Sequence, residues 1–126
     1  MTTNEFCKKH QIMIKYSQVD SNPHMPNNSM THWKVTLKHG GRQMTLTFSK
    51  GSGHKGVPPS APEVLECLKS DFFLAGYDFE DWCSDLGYET DSRRAEKIYK
   101  ACDRQSRKLE KFLGDDLLDE LMETEE

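Results

Sequence analysis

The chain has 126 residues, 30% of them charged and 35% apolar, with a formal net charge of −4 and four cysteines. That is enough for one domain with a real core, and too apolar for a disordered polyelectrolyte. No run approaches the roughly 18 apolar residues of a membrane span, and the amino end lacks the apolar centre of a signal peptide, so the expected setting is the cytosol.

The charge is divided along the chain. Residues 1–60 carry a net +6 and all five histidines; residues 61–92 carry −8, residues 93–114 carry +5 and residues 115–126 carry −7. Such asymmetry governs how partners approach rather than how the chain folds. Cys7, Cys67, Cys83 and Cys102 are scattered without a C-x-x-C pair, so they read as reduced thiols. The histidines never fall at ligand spacing with a cysteine, so neither a metal nor a cofactor is expected.

In chain order, "TTNEFCKKH" predicts a short helix capped by Thr3 with Phe6 inward. In "IMIKYSQV", Ile12, Ile14 and Tyr16 alternate with Met13, Lys15 and Ser17, which predicts a strand. "DSNPHMPNNS" reads as a loop. The strongest local pattern is "THWKVTLKHGGRQMTLTFSKG", two alternating runs around Gly40-Gly41, a dipeptide suited to a two-residue hairpin turn. If His39 pairs with Arg42, then Leu37 faces Met44, Val35 faces Leu46 and Trp33 faces Phe48, all on one apolar face. The other face pairs Lys38 with Gln43, Thr36 with Thr45, Lys34 with Thr47 and His32 with Ser49. A slip by one residue would turn Trp33, Val35 and Leu37 into water, so the register should be firm.

"GSGHKG" has the look of a phosphate loop but departs from G-x-x-x-x-G-K-[ST], and Val57-Pro58-Pro59 separate it from the next helix. It reads instead as a basic surface connection in which Lys50, His54 and Lys55 could meet phosphates or an acidic protein. Ser60 and Glu63 form a capping box with Pro62 in the first turn, and Val64, Leu65, Leu68 and Phe72 make the inward stripe. "DFEDWCSDLGY" predicts a helix capped by Asp78 and stopped by Gly87, with Phe79, Trp82, Cys83 and Leu86 inward. A long helix then starts from Thr90 or Asp91 and ends near Gly114, its inward line Ala95, Ile98, Cys102, Gln105, Leu109 and Phe112. Arg93, Lys97, Lys100, Arg104, Arg107 and Lys111 form a basic stripe on its far side. "DDLLDELMETEE" is a short acidic helix or a frayed tail.

The expected architecture is α+β: a three-stranded antiparallel sheet with a central GG hairpin, packed against three to four C-terminal helices. One domain is expected over 1–126, with a basic sheet half at 1–56, a helical half at 57–114 and an acidic terminal segment at 115–126.

Catalysis has little support in the residues. Cys7 and His10 suggest a nucleophile and base but lack a third group to orient them, and two or more carboxylates near Trp82 specify no reaction by themselves. The charged surfaces point to binding. Asp78, Glu80, Asp81, Asp85, Glu89 and Asp91 form an acidic surface able to stand in for phosphates on a nucleic-acid-handling protein. The alternative is DNA or RNA binding through Lys50, His54, Lys55 and the stripe of Arg93, Lys97, Lys100, Arg104, Arg107 and Lys111. Against the stripe stand interspersed acids such as Glu96, which can pair with Lys100.

From about Val19 to Gly114, and most specifically in "FEDWCSDLGYETDSR", the chain resembles a group of small bacteriophage and prophage accessory proteins. The resemblance brings no catalytic residues. It implies a phage protein made in the host bacterial cytoplasm, and by analogy an inhibitor of host defence. Anti-CRISPR proteins are the first class to consider, with a host Cas effector as partner whose nucleic-acid binding or cleavage is blocked.

Overall fold

The computed structural model describes residues 1–20, 22, 30–50 and 57–125. The expectations for the loop at 21–29 and for Gly51 to Gly56, including His54 and Lys55, lie outside the described residues apart from Asn22. The elements run α1 (Thr3–Lys9), β1 (Met13–Val19), β2 (Thr31–His39), β3 (Arg42–Lys50), α2 (Ala61–Ala75), α3 (Phe79–Leu86), α4 (Arg93–Leu113) and α5 (Asp115–Met122). The fold is α+β, with one antiparallel sheet in the order β1-β2-β3. No helix among the described residues is long and apolar enough to cross a membrane.

The β2–β3 register is the one the alternation requires, from His39 opposite Arg42 through Leu37–Met44 and Val35–Leu46 to Trp33–Phe48. Gly40 takes a φ of 57°, which a residue with a Cβ adopts only with strain, and this closes the two-residue turn. β1 pairs along its whole length with β2, placing Ile14 beside Leu37 and Tyr16 beside Val35 on the core face. Tyr16 is nonetheless 48% exposed and rests edge-on against Trp33 at 5.6 Å. Its position on the outer strand explains this, because the main core gathers on β2 and β3. Ile12 is buried but lies just ahead of the strand.

One face of the sheet packs against α1, α2, α5 and the second half of α4. Phe6, Val35, Leu37, Val64, Leu65, Leu109 and Leu121 are fully buried there. Each such side chain contributes about 1.5–3 kcal/mol on leaving water, so the register is tied to the whole core. Ser60 and Glu63 form the expected box on α2. α1 is capped by Thr2 rather than Thr3, because Glu5 stands three residues after Thr2 and completes the box from there. Thr3 is freed to turn inward, where it donates to Glu66 and meets Thr124. The acidic terminal segment is helical as α5, burying Leu118 and Leu121. Beyond it, Glu125 donates its backbone N–H to the Met1 carbonyl at 2.8 Å, so the two ends lie side by side.

A second, smaller cluster stands apart from the sheet. Trp82, Cys83 and Ala95 are buried there, with Leu74, Tyr77, Phe79, Tyr88, Ile98 and Tyr99 packed around them. Asp78 caps α3 and Gly87 ends it with a φ of 76°, as expected. Leu86 is not inward but 44% exposed. Beyond the left-handed turn at Gly87, Tyr88 lies flat on Trp82, at 5.3 Å and 4°. α4 begins at Ser92, not at Thr90 or Asp91; the Ser92 hydroxyl accepts from the Ala95 amide at 3.1 Å. Ala101 and Ser106 are buried on α4 although the inward line omitted them. Small residues there allow α2 to pack closely on α4.

Candidate interaction surfaces

The acidic residues sit together on the lobe built around Trp82. Glu80, Asp81 and Asp85 project from the outward side of α3, while Glu89 and Asp91 lie on the connection to α4; all five are exposed. Asp78, also exposed, accepts the Asp81 amide at 2.8 Å and is partly occupied as a cap. None of the six forms an ion pair with a described residue. An aromatic stack lies beneath them. Tyr99 meets Phe79 and Trp82 edge-on at 5.3 and 5.4 Å and donates its hydroxyl to the Tyr77 carbonyl at 2.6 Å.

The six stripe residues of α4 are all exposed. At 3.6 residues per turn they fall within about 80° of the helix circumference, over a length of about 27 Å. Two are engaged on the helix itself, Lys100 with Glu96 at 2.8 Å and Arg107 with Asp103 at 3.1 Å. Bonding from Lys100, then its charge, hold the Glu96 carboxyl below its ordinary range. Arg93, Lys97, Arg104 and Lys111 have no ion pair among the described residues. The stripe begins beside the acidic lobe and ends beside the sheet.

Lys50 belongs to neither surface. It is only 7% exposed and its ammonium lies 3.0 Å from Glu63. Burial would raise the Glu63 carboxyl, but bonds from Lys50 and Ser60 outweigh it and leave Glu63 below its ordinary range. Lys50 is thus a structural anchor between β3 and the start of α2. His32 is likewise buried, against Ser49 at 2.7 Å, at the end of the otherwise open sheet face.

Two shallow grooves beside α4 are lined by cations, of which only Lys111 belongs to the stripe. Arg42, Lys108 and Lys111 border one of about 580 Å³ between β3 and α4. Lys34 and Lys108 border another of about 340 Å³, with Thr45, Thr47 and Gln105. The hairpin register already places Lys34 on the polar face, but only the position of α4 brings Lys108 alongside it. A third groove, of about 800 Å³ between α2 and α4, mixes Arg107 and Lys111 with Asp103, Glu110 and Asp115.

The thiols are held in their protonated form. Burial, reinforced by Glu66, pushes Cys7 up to about 11, and burial with Asp71 pushes Cys102 up to about 12. His10 bonds Glu120 at 2.9 Å instead of serving Cys7. The described residues contain no group of three or more His, Cys, Asp or Glu able to hold a metal ion.

Fold and surfaces together define an α+β protein with an acidic helical lobe and a basic sheet-side body. Comparison of the chain with family models, with curated proteins and with solved structures gives no match in any of the three.

Proposed function

We propose that the protein acts by association rather than by catalysis. Its acidic lobe docks on the basic nucleic-acid-binding surface of a host protein, as a phage inhibitor of host defence working in the bacterial cytoplasm. A Cas effector is the first candidate partner. The observation that carries this reading is the lobe itself. Six exposed carboxylates, free of ion pairs among the described residues, lie on α3, its cap and the connection to α4, around a stacked aromatic cluster. Preorganised charge of this kind costs little ordering entropy on binding and speeds encounter with a cationic surface.

The test is capture from nuclease-treated host lysate with the wild-type chain and with an Asp81→Asn/Asp85→Asn variant. Recovery of a nucleic-acid-handling protein by the wild type, weakened in the variant and competed by oligonucleotide, supports the reading. Equal recovery by both sinks the lobe as the docking surface.

A second reading, nucleic-acid binding along α4, is favoured by the alignment of six exposed cations on one line. Substituting Lys97, Lys100 and Arg104 by glutamate should then abolish oligonucleotide binding; unchanged binding removes the first half of the stripe from the interface.

A further inference from the structure

We infer that the open face of the sheet, continued by the groove between β3 and α4, is a second binding surface whose ligand is the phosphate backbone of double-stranded nucleic acid. Apart from Lys111, its cations are not those of the α4 stripe, and it stands independently of the acidic lobe.

The helices cover one face of the sheet; the other is open to solvent along most of its length. Lys15 projects from β1 on that face, and Lys34 and Lys38 project from β2. The strand positions of this face contain no aspartate or glutamate. Around the edge of β3 the surface continues through Lys108, whose ammonium reaches the Thr45 carbonyl at 3.4 Å, to Lys111 and Arg42. Lys34 and Lys108 share one groove, and Arg42, Lys108 and Lys111 share the next, so Lys108 joins sheet and helix.

The way cations are paired across the molecule separates this surface from the rest. Every lysine or arginine ion pair among the described residues lies elsewhere: Lys9–Glu120, Lys50–Glu63, Lys69–Glu66, Lys100–Glu96 and Arg107–Asp103. The six cations of the open face and groove have none. Lys15 and Lys38 even crowd one another: hydrogen bonding to Lys15, followed by charge repulsion, lowers the pKa of Lys38. Like charges set side by side on a sheet are locally unfavourable.

The chemistry around the cations selects the ligand. Thr45, Thr47, Gln43 and Ser17 add neutral hydrogen-bonding groups suited to phosphate and sugar oxygens. Among the described strand positions this face carries no Phe, Tyr or Trp, and the His32 ring at its end is buried against Ser49. Tyr16 lies on the opposite side of β1, and Phe112, which lines the groove, is 2% exposed. Single-strand binding depends on stacking bases on exposed rings, and protein docking on a buried apolar anchor. Met13, at the rim, is the one large apolar side chain well exposed there. Backbone contact without base reading is what remains, and a duplex offers its phosphates in the fixed spacing that a rigid sheet and helix can match.

Fluorescence anisotropy with a 20-base-pair duplex and with a single strand of equal length, each over a series of salt concentrations, tests the inference. The expected results are tighter binding of the duplex and a steep fall in affinity with salt. A Lys34→Gln/Lys108→Gln variant should reduce the slope of log K against log salt by about 2, one unit for each phosphate that is no longer neutralised. Lys108→Arg, which keeps the charge, should preserve the slope and shows that the double variant is altered in charge rather than in fold. A wild-type slope in the double variant, a preference for the single strand, or no duplex binding at low salt overturns the inference. Asp81→Asn/Asp85→Asn is expected to bind duplex as well as the wild type, so failure of protein capture in that variant bears only on the acidic lobe.

Discussion

The sheet-packed body and the lobe around Trp82 are built on different plans. The body draws its core from α1, all but one of the later helices and the hairpin, and its buried residues are chiefly aliphatic. The lobe buries only Trp82, Cys83 and Ala95 fully, and it depends on aromatic rings at the margins of α2, α3 and α4. Burial of many side chains across distant elements makes the body cooperative, whereas the lobe rests on one indole. α4 belongs to both, with Ala95 in the lobe and Leu109 and Phe112 in the body. A rigid helix thus carries a small charged platform out from a larger scaffold. The lobe needs only enough stability to fix the direction of its carboxylates.

The largest effect is expected where that dependence is greatest. Trp82→Ala should cost about 3–5 kcal/mol, the range for removing a buried large aromatic. It should melt the lobe while leaving the hairpin paired, whereas Leu65→Ala, at about 2–5 kcal/mol, should destabilise the whole chain. The two tryptophans make the comparison measurable, since Trp33 lies in the body and Trp82 in the lobe. In Trp33→Phe and Trp82→Phe chains, urea unfolding followed by the remaining indole should show the lobe opening first. Coincident transitions would mean that α4 couples the two into one unit.

Next in size is Tyr99→Phe, which removes the hydroxyl bonded to the Tyr77 carbonyl. A destabilisation of about 1–2 kcal/mol is expected, confined to the lobe transition. Smaller still is the cap of α4. Ser92→Ala should cost about 1 kcal/mol and Thr90→Ala almost nothing, because only the Ser92 hydroxyl accepts from the helix. Thermal melts of the two variants distinguish the caps; equal shifts would mean that the helix start is frayed.

Those caps show what could be read from the chain and what could not. The hairpin register was legible because each apolar residue of one strand has its partner fixed by the turn, and a slip would expose the entire face. The Ser60–Glu63 box and the Gly87 stop were legible because each signal is complete within four residues. At the starts of α1 and α4 the expected cap was off by one or two residues: Glu5, three residues on, marks Thr2 rather than Thr3, and Ser92 caps in place of Thr90 or Asp91. Burial that depends on which elements cross was also hidden. Lys50 looks like a loop cation yet is buried and paired with Glu63, and Leu86 is exposed while Tyr88 stacks on Trp82. The acidic residues of the lobe could be named individually. The junction of Lys34 with Lys108 could not, since it joins a strand to a helix more than seventy residues on.

Asp71 gives the subtlest way to sharpen the comparison, because it lies on α2 where that helix meets α4, close to the join of body and lobe. It accepts the Cys102 thiol, and burial raises its pKa from 3.8 to about 6 despite that bond. A carboxyl raised in the folded state binds its proton more tightly there than in the unfolded chain. Between about pH 4 and 6 the native state therefore holds the extra proton, and stability falls as pH rises through that window. At neutral pH the ionised Asp71 works against the fold; below pH 4 it is protonated in both states and the difference vanishes. Asp71→Asn keeps an acceptor for Cys102 and removes the charge. It should stabilise the fold at pH 7 by up to about 3 kcal/mol, with almost no gain at pH 4. If the gain appears in the transitions of both tryptophans, Asp71 weakens the joint between lobe and body; if only Trp33 reports it, the charge burdens the body alone. A variant with no gain at pH 7 would mean that water reaches the carboxylate and that the junction is looser than its packing implies.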